Sequence, residues 1–236
     1  MEHQLDNPVW YALTGPQAGF AVGRGAARHY PRDMAPFSAV DASTPAAYAD
    51  LAADLPYGLE ARMFRPAGAP APPGWTVVSA RPILQMVADS DSLLTVHPAE
   101  SRSSPLGLAD ASDMQALAEI TKPGPFGPRT PELGRYVGLR DAAGRLLAMA
   151  GERFRLSGHV ELSGICVHPD ARGQGLGAAL TLHLARAALA RGEAPFLHVF
   201  PDNPAAALYE RLGFRHRAKL WVLWHRPLPN AAGAPA

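Results

Sequence analysis

The residues with the most chemistry in their spacing run from Cys166 to Ala178, CVHPDARGQGLGA, where an apolar segment ends at a proline and alternating glycines follow. Gly173, Gly175 and Gly177 let the backbone turn sharply and approach a ligand with no Cβ in the way. A helix opening there would aim its unpaired N–H groups, and the positive end of its dipole, at whatever the loop holds, which favours an anion. Arg172 adds a cation. A diphosphate suits this arrangement, and a tight connection with no ligand is the plainer alternative. The binding candidates are Arg172, Gly173, Gln174, Gly175, Leu176, Gly177 and Ala178, with Ile165, Cys166 and Val167 leading in.

These residues need a strand before them and a helix after. Residues 160–167, VELSGICV, are rich in β-branched side chains and predict the strand. Pro169 cannot continue a sheet ladder and Asp170 favours a turn, so the chain leaves the sheet there. Leu176, Leu180, Leu184 and Ala188 then recur at helical spacing toward Arg191, and Gly192 is placed to stop the helix. A second strand is expected over residues 195–200, PFLHVF. Asn203 can cap a further helix whose first residue is Pro204 and which runs over residues 205–212 to Gly213.

Two nucleotide-binding alternatives fit poorly. The dinucleotide fingerprint G-x-G-x-x-G wants an acidic residue about 20 positions on, at the far end of the next strand. Here the glycines read G-x-G-x-G, and Glu193 precedes that strand. The mononucleotide G-K-[ST] loop is absent from the sequence.

Taken together, Arg172, Gly175 and Gly177, then Asn203, Ala206, Leu208, Tyr209, Gly213 and Phe214, resemble the two linked acyl-CoA motifs of the GNAT superfamily of N-acetyltransferases, R/Q-x-x-G-x-G/A and N-x-x-A-x-x-L-Y-x-x-x-G-F. One departure is the A-x-L-Y spacing here. The resemblance covers roughly residues 101–227, and its finer detail, HPDARGQG and residues 121–134 (TKPGPFGPRTPELG), looks most like the branch with glycine N-acyltransferase relatives. It implies an α/β (α+β) fold with a mixed, mostly antiparallel central sheet and helices on both faces. It also implies acetyl-CoA as cosubstrate, with Asn203 and Ala206 among the residues that hold it.

Acyl transfer to an amine needs a polarised carbonyl, an unprotonated amine and a proton for the departing sulfur. Backbone N–H groups at the end of the strand over residues 160–167, freed from the ladder by its departure at His168 and Pro169, are expected to serve the first need, in agreement with the resemblance. Tyr209 is the candidate acid, since a phenol stays protonated at neutral pH; the plainer reading packs it on its helix with the hydroxyl at the surface. Glu161 is either the base, acting through a water on a face it shares by alternation with Ser163, Ile165 and Val167, or an exposed residue at a strand start. Glu132 and His168 are weaker candidates, and His198, mid-strand, reads as a core histidine. Cys166, the only cysteine, alternates to the face opposite Glu161 and reads as a small apolar residue rather than a nucleophile. No Cys/His cluster has metal-ligand spacing, and no metal is expected.

With 236 residues and a net charge of +1, the chain offers no basic run for nucleic acid. It has neither an apolar run long enough for a membrane span nor a signal-peptide pattern in its first residues, so a cytoplasmic enzyme is expected. The expected partner is a small-molecule amine or amino-acid-like acceptor, with a homodimer left open. The organisation expected is an N-terminal α/β region over residues 1–98, a degenerate GNAT-like copy or a partner of the catalytic domain, then that domain over 99–228, then a disordered tail over 229–236. Residues 66–74, PAGAPAPPG, form a linker or loop inside the first region, between strands at 37–40, 59–64 and 75–87, the last broken at Pro82, and a helix at 48–55. Gly23, Arg24 and Gly25 read as a turn. The second region opens on a helix at 111–120 capped by Asp110, with a hairpin at 136–140 and 146–154. The alternative to an enzyme is a catalytically inactive acyl-CoA-binding sensor or regulatory module.

Overall fold

Alternating apolar residues and turn signals give, in the computed structural model, the order α1 (Pro8–Leu13), β1 (Ala27–His29), β2 (Ser38–Val40), α2 (Pro45–Asp54), β3 (Ala61–Arg65), β4 (Trp75–Val87), β5 (Ser104–Leu106), α3 (Ala111–Thr121), β6 (Tyr136–Arg140), β7 (Leu146–Leu156), β8 (His159–Val167), α4 (Leu176–Leu189), β9 (Ala194–Val199), α5 (Ala205–Arg211) and β10 (Arg215–Pro227). The structure describes residues 3–55, 58–68, 70–93 and 98–229, so the expected tail lies outside the described residues from 230 on. Contacts divide the chain into two units. One takes the chain up to Arg32, from Pro36 to Ile83 and from Ala218 on; the other takes Asp33–Ala35 and Leu84–Arg217.

The second unit carries the candidate site. Its sheet has the order β4, β9, β8, β7, β6, β5. The β8–β9 pair is parallel and the pairs β4–β9, β7–β8, β6–β7 and β5–β6 are antiparallel. Alternation along β7 sends Ala148 and Ala150 into a core with Leu176, Leu180, Leu184 and Ala185 of α4, and Met149 into a core with Met114 and Leu117 of α3. The sheet is thus mixed, mostly antiparallel and covered by helices on both faces, as the sequence implies.

Helix α3 begins where expected but is not capped by Asp110. That carboxylate accepts the Gly107 N–H at 2.9 Å and pairs with Arg140 at 2.7 Å, while Asp113 takes the other Arg140 nitrogen at 2.6 Å. One carboxylate oxygen thus caps the preceding turn and the other meets a guanidinium, leaving none for the α3 N-terminus.

In the first unit, Thr44 starts α2 earlier than expected. Its hydroxyl accepts the Ala47 N–H at 3.2 Å, with Pro45 in the first position. Ala47, Tyr48, Leu51 and Ala52 of α2 pack with Ala61, Met63 and Trp75. Strand β4 continues through Pro82 rather than breaking. Strands β1 and β2 form a two-stranded antiparallel sheet, and β3 pairs antiparallel with β10, an element without a clear signal of its own.

Candidate active site

The turn into α4 uses its glycines unequally. Gly173 and Gly175 sit at φ 77° and 72°, the left-handed region that L side chains avoid. Gly177 is already helical, and a Cβ there would meet Val167 Cγ2 at an ordinary 3.5 Å. Leu176 is buried and anchors the helix start, while Arg172, Gly173, Gln174 and Gly175 are exposed. Ala179 makes the first intrahelical bond, its N–H donating to Gly175 O at 3.0 Å. The amides of Leu176, Gly177 and Ala178 lie ahead of it, giving a set of donors at the positive end of a 14-residue helix.

Beside this turn the sheet opens. Strands β8 and β9 pair only from His159↔Ala194 to Glu161↔Phe196 and then part. Past that point β8 also bulges. Met149 lies opposite Cys166 but Gly151 opposite Ser163, so β8 carries one extra residue, with Gly164 at φ 63°.

The bulge overturns the expected alternation. Ile165 and Val167 pack against the α4 core, and Cys166 turns to the α3 side with Met149 and Tyr136, the side on which Glu161 lies. A lone glycine inside a strand pattern is the sequence signal for such a bulge. The free N–H groups expected at the end of this strand do not include that of the next residue. His168 N–H is not released at Pro169, because it donates to Leu147 O at 2.7 Å. Successive amides of a strand point to opposite edges, so the Val167 amide, and that of Ile165 before it, face away from β7 into the gap that β9 leaves.

Glu161 is fully buried, neither exposed nor free. Arg153 grips both its oxygens, Nε to Oε2 at 2.6 Å and Nη2 to Oε1 at 2.7 Å, and His198 Nδ1 lies 2.6 Å from Oε1. On the other side of the ring, Gln85 Nε2 lies 3.0 Å from His198 Nε2, and Gln85 Oε1 accepts from Arg217 Nε. The amide donor at Nε2 assigns the ring proton to Nδ1, which gives it to Glu161. Burial alone would raise the Glu161 carboxyl, but Arg153 and His198 outweigh it and hold it at about 2. Burial pushes His198 down, keeping it neutral. Five residues from five strands thus tie the closed end of the gap. A carboxylate held this low is a weak base.

Tyr209 reaches the site from α5. Asn203 Oδ1 accepts the Ala205 N–H at 2.9 Å, so Asn203 caps this helix while the regular turn begins one residue after Pro204. Gly213 ends it at φ 100°, where a Cβ would collide with Ser92 O. Tyr209 is 8% exposed, its ring centroid 6.1 Å from that of Phe214, and its hydroxyl makes no hydrogen bond among the described residues. Burial, with the Cys166 thiol adding to it, pushes this phenol up to about 12. Burial likewise pushes Cys166 up to about 11, so it is a thiol and not a thiolate. Tyr209, Leu176, Ala178, Ile165, Val167 and Ala206 all belong to or pack against one core, so the sequence candidates converge.

Others do not join them. Glu132 is forked by Arg129 at 2.8 Å on both oxygens, which pulls its carboxyl below the usual range. His168 Nδ1 accepts the Asp170 N–H. Glu193 is tied to Arg155 and Arg191. Among the described residues no group of three or more His, Cys, Asp or Glu side chains could hold a metal ion, and no helix is long and apolar enough to cross a membrane.

A family model described as FR47-like protein matches residues 136–222, the stretch of strands and helices just described. A crystal structure from Novosphingobium aromaticivorans, assigned to the GNAT family of acetyltransferases, is 38% identical to this chain, covers 96% of it and 99% of its own length, and superposes with a TM-score of 0.85. The chain belongs to the GNAT family of acetyltransferases. A GCN5-related N-acetyltransferase from Kribbella flavida, 22% identical over 93% of this chain and 94% of its own, with a TM-score of 0.62, shares the fold. A comparison with curated proteins gave no match. GNAT proteins use acetyl-CoA, and the donor set before α4 fits that molecule's diphosphate, with two glycines that keep side chains out of the turn.

Proposed function

We propose that this GNAT protein moves the acetyl group of acetyl-CoA onto the primary amine of a small, amino-acid-like acceptor, by direct attack while both are bound. The observation that carries the proposal is Tyr209, a phenol whose ring is packed in the core that joins the anion-binding turn to the parted end of β8 and whose hydroxyl, not among the buried unpartnered atoms, is left accessible without a hydrogen bond among the described residues. Acetyl-CoA supplies the activated acyl group; the rest falls to the chain. The amides ahead of Ala179, with Arg172, hold the diphosphate, and Asn203 and Ala206 flank the cosubstrate from the start of α5. The Val167 and Ile165 amides donate to the carbonyl oxygen, a role typically worth about 10²- to 10³-fold.

Tyr209 donates its hydrogen to the sulfur as charge develops there. At about 12 it is a weaker acid than an ordinary tyrosine, so its contribution is a hydrogen bond into developing charge more than a completed proton transfer. Glu161, held at about 2, ties β8 to β7 through Arg153 and to β9 through His198 rather than taking a proton. The amine then loses its proton to solvent. An amino-acid-like acceptor is supported by the likeness of residues 121–134 to glycine N-acyltransferase relatives. That loop is fixed by Thr130 Oγ1 donating to Met34 O at 2.7 Å and Arg129 N–H to Asp33 O at 3.0 Å.

Calorimetry with acetyl-CoA, followed by thiol release across amino acids, polyamines and aralkylamines, tests the reading. Binding together with amine-dependent thiol release is expected. Absence of acetyl-CoA binding would overturn it.

A further inference from the structure

Tyr136 is placed by an unusual accommodation of three strands. Its ring starts on β6, crosses β7 at Gly151, and ends over the β8 bulge. A Cβ built on Gly151 would lie inside that ring, and one built on Gly164 would lie 3.5 Å from Cε1 and 3.7 Å from the hydroxyl. The absent side chain at Gly151 is what lets the ring cross β7, while the contacts at Gly164 are of ordinary van der Waals length and place the ring's end over the bulge. Phe126, from the loop at 122–134, closes over the ring edge-on, centroids 5.9 Å apart at 89°.

The result is a tyrosine 3% exposed whose hydroxyl makes no hydrogen bond among the described residues. The hydroxyl oxygen is not among the buried polar atoms left without a partner, so the ring is enclosed while its tip reaches open space, and a ring held this tightly with an unpaired hydroxyl at its open end asks what the tip serves. A phenylalanine would fill the same space. Its titratable surroundings are Arg153, Glu161, Glu152 and Cys166. It lies on the α3 side of the sheet with Cys166, whereas Tyr209 belongs to the core on the α4 side. The two phenols therefore flank the β8 bulge from opposite faces.

Resting on the acyl-transfer reading above, we infer that the Tyr136 hydroxyl is an acceptor-binding group that takes an N–H of the incoming primary amine and aims its lone pair at the bulge. The phenol keeps its own proton throughout and orients the nitrogen without deprotonating it. Phe126 forms the apolar wall beside it, so the preferred amines carry a short apolar or aromatic substituent rather than a second charge.

Tyr136→Phe separates this role from a structural one. Wild type and variant are compared in acetyl-CoA calorimetry, thermal unfolding, and thiol release with alaninamide, phenethylamine and spermidine. Expected are an unchanged acetyl-CoA affinity, a melting temperature equal to or above wild type, and about a 5- to 10-fold rise in KM for alaninamide and phenethylamine, the loss of one neutral hydrogen bond. Equal kcat/KM in the two proteins overturns the inference, as does a lowered melting temperature that accounts for the loss. Faster turnover of spermidine than of both other amines by the wild type overturns the apolar preference, and acetyl-CoA binding with no amine acetylated overturns the amine contact. If the wild type binds no acetyl-CoA, the acyl-transfer reading itself fails and this inference with it.

Discussion

Replacing Glu161 by glutamine keeps the volume of a fully buried side chain and removes its charge, leaving the Arg153 guanidinium facing a neutral amide. The carboxyl is held at about 2 against an ordinary 4.5, and a pKa unit is worth about 1.4 kcal/mol, so the ionised form contributes about 3 kcal/mol at neutral pH. Breaking a buried ion pair by removing one partner costs about 3–5 kcal/mol, which agrees. In a chain of this length that corresponds to a loss of about 6–12 °C in melting temperature. The pH dependence has a definite sign. A depressed carboxyl stabilises fully above its unfolded value and loses that contribution as pH falls from 4.5 through about 2. Thermal unfolding of both proteins from pH 7 to pH 2.5 should show a wide gap at neutral pH that narrows with acidification. Equal melting temperatures at pH 7, or a gap indifferent to pH, would refute the buried pair.

Gly175→Ala forces a Cβ into the left-handed region at φ 72° and should cost about 1–2 kcal/mol of stability, with weaker acetyl-CoA binding in calorimetry. Cys166, buried and pushed up to about 11, should react with a thiol-specific dye only slowly in the native protein and at full rate in denaturant; rapid native labelling would contradict its packing. With Glu161 too weak a base, the rise of kcat/KM with pH should follow the pKa of whichever amine is supplied. An inflection that stays in place as the amine is changed would point instead to a base on the protein.

Strand β6 and the ends of β7, β8 and α4 follow signals a few residues long: apolar alternation, Gly158, Pro169, and the glycines before Leu176. That is why this part of the fold, and with it the glycine turn before α4, is legible in the chain itself. The same holds for Asn203, whose capping bond reaches only two residues. What surrounds the site is not local. Arg217 and Gln85 are 132 positions apart, and Glu161 and His198 are 37 apart, so strand order alone brings them into one network. Period-two alternation placed Ile165 and Val167 with Glu161, and one extra residue at Gly164 reversed the side chains beyond it. Asp110 shows the same limit at a helix end, where its carboxylate goes to the Gly107 amide and to Arg140, on a strand 30 positions away, instead of to the α3 N-terminus.

The central claim is that the Tyr209 hydroxyl serves the departing sulfur, and the Tyr209→Phe variant measures it directly. Thiol release with saturating acetyl-CoA and amine should fall about 10²- to 10³-fold, the loss of one positioned donor, while calorimetric acetyl-CoA affinity stays within about twofold of wild type. Turnover equal to wild type in a variant that binds acetyl-CoA normally would remove Tyr209 from the chemistry.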